Sequence, residues 1–426
     1  MRRPRFGPLW GDRGFRRLWI GQTISGFGSE IGGIAFSVVA AVIVGVTPVQ
    51  MGAIYVAGTL PSIVIGLFAG AWVDRIRRRR IIVMVNLAAA AVTAATVALV
   101  LGGRFVFEGL IVASALFGTL FAIAGPANEA FLPGLVGRDR LVDANARLEM
   151  GASAAATIGP GVGGVLVQVL TAPIALLLDA ASFVVAAVAA AMIDAPADVG
   201  TPAEERRDIL SEIREGIGFL ARDPRLRAIA LARAAGELVG AFTYTNYILF
   251  IASLVGGAAA AGVLGVSSSL GGLGFLVGIA LAARLGSRLG IGRTIVASAL
   301  LVTVSPFFMP LAPADQPLAA TVLLATAAIV GATGAAIGHI HIASLGQAIT
   351  PDHMLGRVSS GTSVLSAAAL IVGTVAGGLV GTQFGLREAI WLSAIGHLVP
   401  LAIIILSPIP RIRVLPPVST AVPITT

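Results

Sequence analysis

The chain has 426 residues, of which 57% are hydrophobic and only 12% charged; a water-soluble chain carries roughly a quarter charged residues, so an ordinary soluble enzyme is excluded. Cysteine is absent, which removes disulfides, thiolate metal sites and cysteine nucleophiles. The net charge of +8 rests on arginine alone, since lysine is absent too, and its placement in short segments between apolar runs suits topology rather than nucleic-acid binding.

The first 19 residues, MRRPRFGPLWGDRGFRRLW, are basic but hold no short apolar core with a cleavage site, so no removable signal peptide is predicted. Apolar windows then predict spans near 19–44, 50–72, 81–101, 109–132, 147–170 and 173–194. Residues 195–227 form the one sizeable polar segment and end in an amphipathic stretch, ILSEIREGIGFL. Six more spans follow near 228–252, 259–283, 293–311, 317–347, 358–381 and 389–407. Twelve helices of about 20 residues fit the length and the mean hydropathy of +0.95. The expected architecture is an all-α membrane protein of two pseudo-symmetric six-helix bundles, 1–194 and 228–407, with a linker at 195–227 and a tail at 408–426.

All arginines except Arg104, Arg233 and Arg387 fall in the N-terminus, the even-numbered connections or the tail. The positive-inside rule makes that side cytoplasmic, with both termini inside.

The two sixes read as copies. Gly159-Pro-Gly-Val-Gly-Gly164 in the fifth span is mirrored by Gly373-Thr-Val-Ala-Gly-Gly378 in the eleventh. Gly66, Gly70 and Asp74 are mirrored by Gly274, Gly278 and Ala282, and Glu30 with Gly33 by Glu237 with Gly240. Three matches in order, at offsets of 214, 208 and 207, exceed what scattered glycines give. A duplicated six-helix unit suits a carrier whose halves rock about a midplane site.

Residues 66–80, GLFAGAWVDRIRRRR, pair a glycine-spaced helix end with Asp74, Arg75 and an arginine run. The stretch resembles the loop signature of the major facilitator superfamily. IGPGVGG (158–164) resembles the fifth-helix motif of its drug:proton antiporters, carried here by Gly159, Pro160, Gly163 and Gly164 in the first half only. FRRLWIGQTISGFGSEI (15–31), PANEAFLPGLV (126–136), LVDANARL (141–148), LLDAASF (177–183) and PDHMLGRVSS (351–360) resemble the macrolide-efflux and siderophore-exporter-like branch. The resemblance implies a proton-coupled exporter whose first, fourth, seventh and tenth helices line a central cavity. It departs in the fourth span, where the branch carries Pro-Ala-Arg and this chain has Pro126-Ala127-Asn128-Glu129.

A charge near the bilayer centre costs at least a few kcal/mol, so each one asks for a reason. Glu30 lies about 12 residues, roughly 18 Å, from Leu18, and Glu237 lies at comparable depth from Arg227. If the copies superpose, the two acids face each other across the expected cavity. Desolvation raises a carboxylate's pKa toward neutrality, which suits proton exchange with cargo; the alternative is a fixed structural acid, with Arg233 as a same-helix partner for Glu237. Asn128, Glu129, His339 and His341 add polar groups, and Phe27, Tyr244 and Asn246 complete a lining for a bulky, mostly apolar molecule. His339 and His341, two apart on a helix, point apart, so no shared metal is expected. The default for such a histidine is an interhelical hydrogen bond, and Asp179 is read as structural.

At the inner gate Asp74 is expected to meet Arg357 at the start of the eleventh helix, and the repeat suggests a second latch between Asp143 and Arg284. No lysine-bearing phosphate loop exists, which excludes ATP-driven transport by this chain. The reading is a plasma-membrane, multi-pass, proton-coupled exporter of a small amphipathic compound (drug, antibiotic or siderophore). Protons, that compound and membrane lipids are its partners; it is monomeric, with no cofactor, metal or nucleic acid. Alternatives are an uptake or flippase-like carrier and a non-transporting sensor or scaffold; a membrane enzyme is disfavoured because no nucleophile, base and orienting residue form a set.

Overall fold

The structure is a computed structural model that describes residues 9–73, 77–104, 106–193, 209–257, 259–314 and 316–414. Its helices are α1 (Arg13–Val38), α2 (Pro48–Val73), α3 (Arg78–Leu101), α4 (Phe107–Val136), α5 (Leu141–Leu170), α6 (Ala172–Ala191) and α7 (Ile209–Arg222). They continue as α8 (Pro224–Val255), α9 (Ala259–Leu289), α10 (Ile291–Val304), α11 (Pro317–Ile349), α12 (Leu355–Phe384), α13 (Leu386–Gly396) and α14 (Leu398–Leu406). Among the described residues there is no strand, and twelve helical stretches are long and apolar enough to cross a membrane. They match the twelve expected spans one for one. Within lipid a helix satisfies its own backbone polar groups, which is why apolar runs of this length fold this way.

Local chemistry sets the ends. Asp12 caps α1 by accepting from the Gly14 and Phe15 amides at 2.9 and 3.2 Å. Asp223 caps α8 by accepting from the Arg225 and Leu226 amides, with Pro224 preset at the first helical position. The guanidinium of Arg225 reaches the same carboxylate at 2.6 Å. These bonds, the Arg225 side chain first, hold the Asp223 carboxyl below the usual aspartate value. At the far end of α6 the free carbonyls of Met192 and Ile193 accept from Arg17 and Arg79, cations suited to a helix C-terminus.

Two spans differ from a plain helix. The first runs on from α1 as a π-helical stretch, Val39–Val44, before Gly45 turns the chain at φ 69°. The twelfth, expected as one helix over 389–407, is split into α13 and α14 at His397, whose carbonyl is taken by the Thr303 hydroxyl at 3.1 Å. Arg387, at the start of α13, donates to the Pro310 and Ala312 carbonyls and lies 5.4 Å over the Phe250 ring, clamping the loop after α10.

The chain divides into two compact units. The first holds α1, most of α2, α3–α6 and the opening turn of α9; the second holds α7, α8, the rest of α9, α10–α14 and the opening turn of α2. Each is built on seams of small residues, because helices in lipid gain by packing backbones closely rather than by expelling water. In the first unit Gly21, Gly28 and Gly32 of α1 lie on Ala186, Ser182 and Asp179 of α6. In the second, Gly373, Gly377 and Gly381 of α12 lie on Leu238, Phe242 and Asn246 of α8, the first two against backbone.

A side chain at Gly28 would overlap Ser182, so Gly28→Leu should cost about 1–3 kcal/mol or more of stability, read as a lowered melting temperature of the detergent-solubilised protein. The Asp223 cap should stabilise fully above the unfolded aspartate pKa of about 3.9 and be lost as pH falls through the lower folded value. Asp223→Ala should therefore narrow its stability deficit against wild type on acidification from pH 7 to pH 3.

Candidate functional site

The residues of interest in the first unit gather where α1 meets α5. The seam advances in parallel steps of about one turn. Gly151 meets the Thr23 hydroxyl oxygen, Gly26 faces Ala155, Gly159 meets Glu30, and Gly163 meets the backbone of Ile31. A Cβ at Gly159 would lie 2.6 Å from the Glu30 Cβ, 3.2 Å from its Cγ and 3.8 Å from the Phe27 ring. Glu30 is half-buried, and among the described residues its carboxylate has no hydrogen-bond or ion-pair partner.

The motif 159–164 thus has two working faces. Gly159 and Gly163 receive α1, while Pro160 and Gly164 receive the opening turn of α9: Gly164 lies against the Ala261 carbonyl, and Gly265 against that of Pro160. Its mirror in the second unit behaves alike at its end, for Gly378 lies against Pro48 and Val49 in the opening turn of α2. The copies differ at the acids. Gly373, the counterpart of Gly159, receives Leu238 rather than Glu237. Glu237 is half-buried and unpaired among the described residues, and no ion pair joins it to the exposed Arg233.

Polar residues expected to line a cavity have varied surroundings. Asn128 is half-buried and accepts from the Gln22 amide at 3.0 Å, joining α4 to α1, while Glu129 beside it is exposed. Tyr244 is exposed. Asn246 is fully buried: its amide donates to the Phe242 and Gly377 carbonyls at 3.0 Å, and its oxygen points onto Gly381. Its polar side chain serves helix packing there. His339 is exposed and His341 buried, as their two-residue spacing requires. The expected interhelical bond of His341 is replaced by one within its own helix, Nδ1 donating to the Ile337 carbonyl at 2.8 Å, and its ring packs on Gly286 of α9. Among the described residues no three His, Cys, Asp or Glu side chains could hold a metal together.

The described partners of Arg357 and Asp143 lie within their own units. Arg357 bonds Glu215 on α7 at 2.7 Å, where α7 crosses α12 through Gly216 and Gly361. Asp143 bonds Arg147 four residues on at 2.9 Å, and the Arg147 side chain also lies 5.2 Å over the Trp10 ring. Asp74 and Arg75 lie outside the described residues; Gly70 stands in α2 with its surroundings undescribed. The contact not foreseen in the sequence is Glu215 with Arg357, whose only signal there is an acid on an amphipathic helix. Asp179 is buried against Gly32, consistent with a packing role.

The Major Facilitator Superfamily profile matches residues 18–374. The multidrug efflux pump Tap of Mycolicibacterium fortuitum is 32% identical over 184 residues, covering 41% of this chain and 44% of that protein. The match therefore spans less than half of Tap. An uncharacterised MFS-type transporter, YfiS of Bacillus subtilis (strain 168), is 25% identical over 395 residues, 89% of each chain. Among solved structures, the nucleoside transporter NupG superposes with a TM-score of 0.76 at 11% identity over 92% of this chain and 99% of that one. A bacterial homologue of the iron transporter ferroportin does so at 0.73 and 15%, over 94% and 99%.

Because Glu215 is half-exposed, its bond to Arg357 should be worth about 0.2–1 kcal/mol. Glu215→Arg and Arg357→Glu should each lower thermal stability, and the double reversal should recover part of the loss; strictly additive losses would remove the pairing.

Proposed function

The chain belongs to the major facilitator superfamily, and on that premise we propose that it is a proton-coupled exporter of a small amphipathic organic compound, working by alternating access. The carrying observation is Glu30: a half-buried acid about 18 Å along a membrane helix, pressed against the first glycine of the exporter-type motif and without a partner among the described residues. An intramembrane carboxyl in that setting is a functional acid by default. A permanently needed structural acid would be expected to show a hydrogen-bonded or cationic partner, because an unmet buried polar group costs stability.

Glu237 is the second candidate acid, half-buried like Glu30. Tap, an efflux pump by name, supports export as the direction. Drug, antibiotic and siderophore remain the substrate classes of this reading. Asn128, Glu129, Tyr244 and His339 are its polar and aromatic contacts, while Asn246 and His341 serve through packing. Gly70, Asp74 and Arg75 keep the role of an inner gate, and Arg357 acts there through Glu215. The reading places a monomer in the plasma membrane with both termini and the arginine-rich connections in the cytoplasm, divided as 1–194, 195–227, 228–407 and 408–426.

The test is accumulation of candidate compounds in cells with and without the protein, repeated with a protonophore and with Glu30→Gln. The wild type should lower accumulation of at least one compound severalfold, and both the protonophore and Glu30→Gln should abolish that difference. Equal export by wild type and Glu30→Gln would remove Glu30 from the mechanism.

A further inference from the structure

The glycine that opens the exporter-type motif and the acid of α1 share one contact. Of the four steps of the α1–α5 seam, only the third sets a glycine against a titratable group; the others set Gly151 on Thr23, Gly26 on Ala155 and Gly163 on Ile31. In the second unit the nearest neighbour of the corresponding Gly373 is the backbone of Leu238, not an acid side chain. The full Gly-Pro-Gly-Val-Gly-Gly motif and the acid in contact with its first glycine thus occur together in one copy and not in the other.

We propose that Gly159 is the positioning residue for Glu30: by admitting the α5 backbone onto the Glu30 Cβ and Cγ, it fixes where the carboxyl sits and the pH at which it binds its proton. The inference rests on reading Glu30 as the proton-exchanging acid. At 2.6 Å even a methyl group cannot stand at Gly159 unless the Glu30 side chain or the helices shift. Among the described residues of the first unit, no other charge is placed to set the proton affinity instead. On α6, Asp179 faces Gly32 and Ser182 faces Gly28; both glycines lie two residues from Glu30, on the opposite side of α1. On α5 the charged residues Asp143, Arg147 and Glu149 precede Gly159 by ten residues or more, about 15 Å or more along the helix. On α4 Asn128 is held by Gln22 and Glu129 is exposed. The arginines of α1 itself, Arg13, Arg16 and Arg17, lie about 20 Å away. What remains variable around the carboxyl is how tightly α5 closes on it, and solvent access of that kind shifts a carboxyl's titration.

The experiment uses the full chain in liposomes and a hydrophobic carbodiimide, which reacts with protonated carboxyls. Label on Glu30 is read by peptide mass spectrometry across pH, with label on Glu237 as the internal control. Gly159→Ala should displace the Glu30 midpoint by at least half a pH unit, about a threefold change in the ratio of protonated to ionised carboxyl, and leave Glu237 unmoved. Gly373→Ala should leave Glu30 unmoved. Coincident Glu30 curves in wild type and Gly159→Ala would overturn the proposal. Should Gly159→Ala fail to fold, the cysteine-free chain offers a measurement with Gly159 intact. Gly26 and Ala155 sit 3.4 Å apart at Cβ, close to disulfide geometry, so Gly26→Cys with Ala155→Cys should cross-link and keep the wild-type Glu30 midpoint. No cross-link, or a displaced midpoint once locked, would overturn it equally. Protonophore-sensitive export that survives Glu30→Gln would instead sink the functional reading, and the labelling curves would still report on Gly159.

Discussion

Two membrane helices can bring their backbones together only where side chains are missing, and that requirement organises both units. Lipid gives helices no hydrophobic reason to associate, so close packing has to supply it. Here it is supplied by glycines one or two turns apart: 151, 159 and 163 on α5, and 373, 377 and 381 on α12. The same close approach that holds the helices together decides which polar side chains are trapped between them. Glu30 is enclosed in one seam and Asn246 in the other. Asn246 donates two hydrogen bonds while its Oδ1 is left without a partner, and the half-buried Glu30 carboxylate makes none among the described residues.

The duplication is visible at the level of contacts. Gly164 seats the opening turn of α9 as Gly378 seats the opening turn of α2, each within its own unit. Yet the copies have diverged where chemistry is expected. In the first, Gly159 receives an acid; in the second, its counterpart receives Leu238, and Glu237 falls one residue aside. One residue is about 100° of helical rotation, enough to take a side chain out of a seam.

The twelve spans were legible because a run of about 20 apolar residues has one stable form in lipid. The glycine repeat was legible as well, since close helix crossings tolerate few other residues. Partner choice was not. Arg357 finds Glu215, 142 positions earlier in the chain, because α7 folds back across α12 at Gly216 and Gly361; no local pattern encodes that crossing. Asp143 bonds Arg147 on its own helix, a spacing present in the sequence. Asn246 read as a lining residue because a polar side chain on an apolar helix suggests a site, while the glycines that make room for it belong to another helix. The π-helical end of the first span, in a run of valine, alanine and isoleucine, has no sequence signal at all.

The central claim is that cargo and a proton compete for the carboxyl of α1. It is tested most directly by adding an exported compound to the purified protein in unbuffered detergent solution and following pH with a dye. The account predicts release of about half a proton per bound molecule from wild type at the Glu30 midpoint, rising toward one at lower pH, and a clearly smaller release from Glu30→Gln at equal occupancy. Binding that releases no proton from wild type, at any pH where Glu30 carries one, would contradict it.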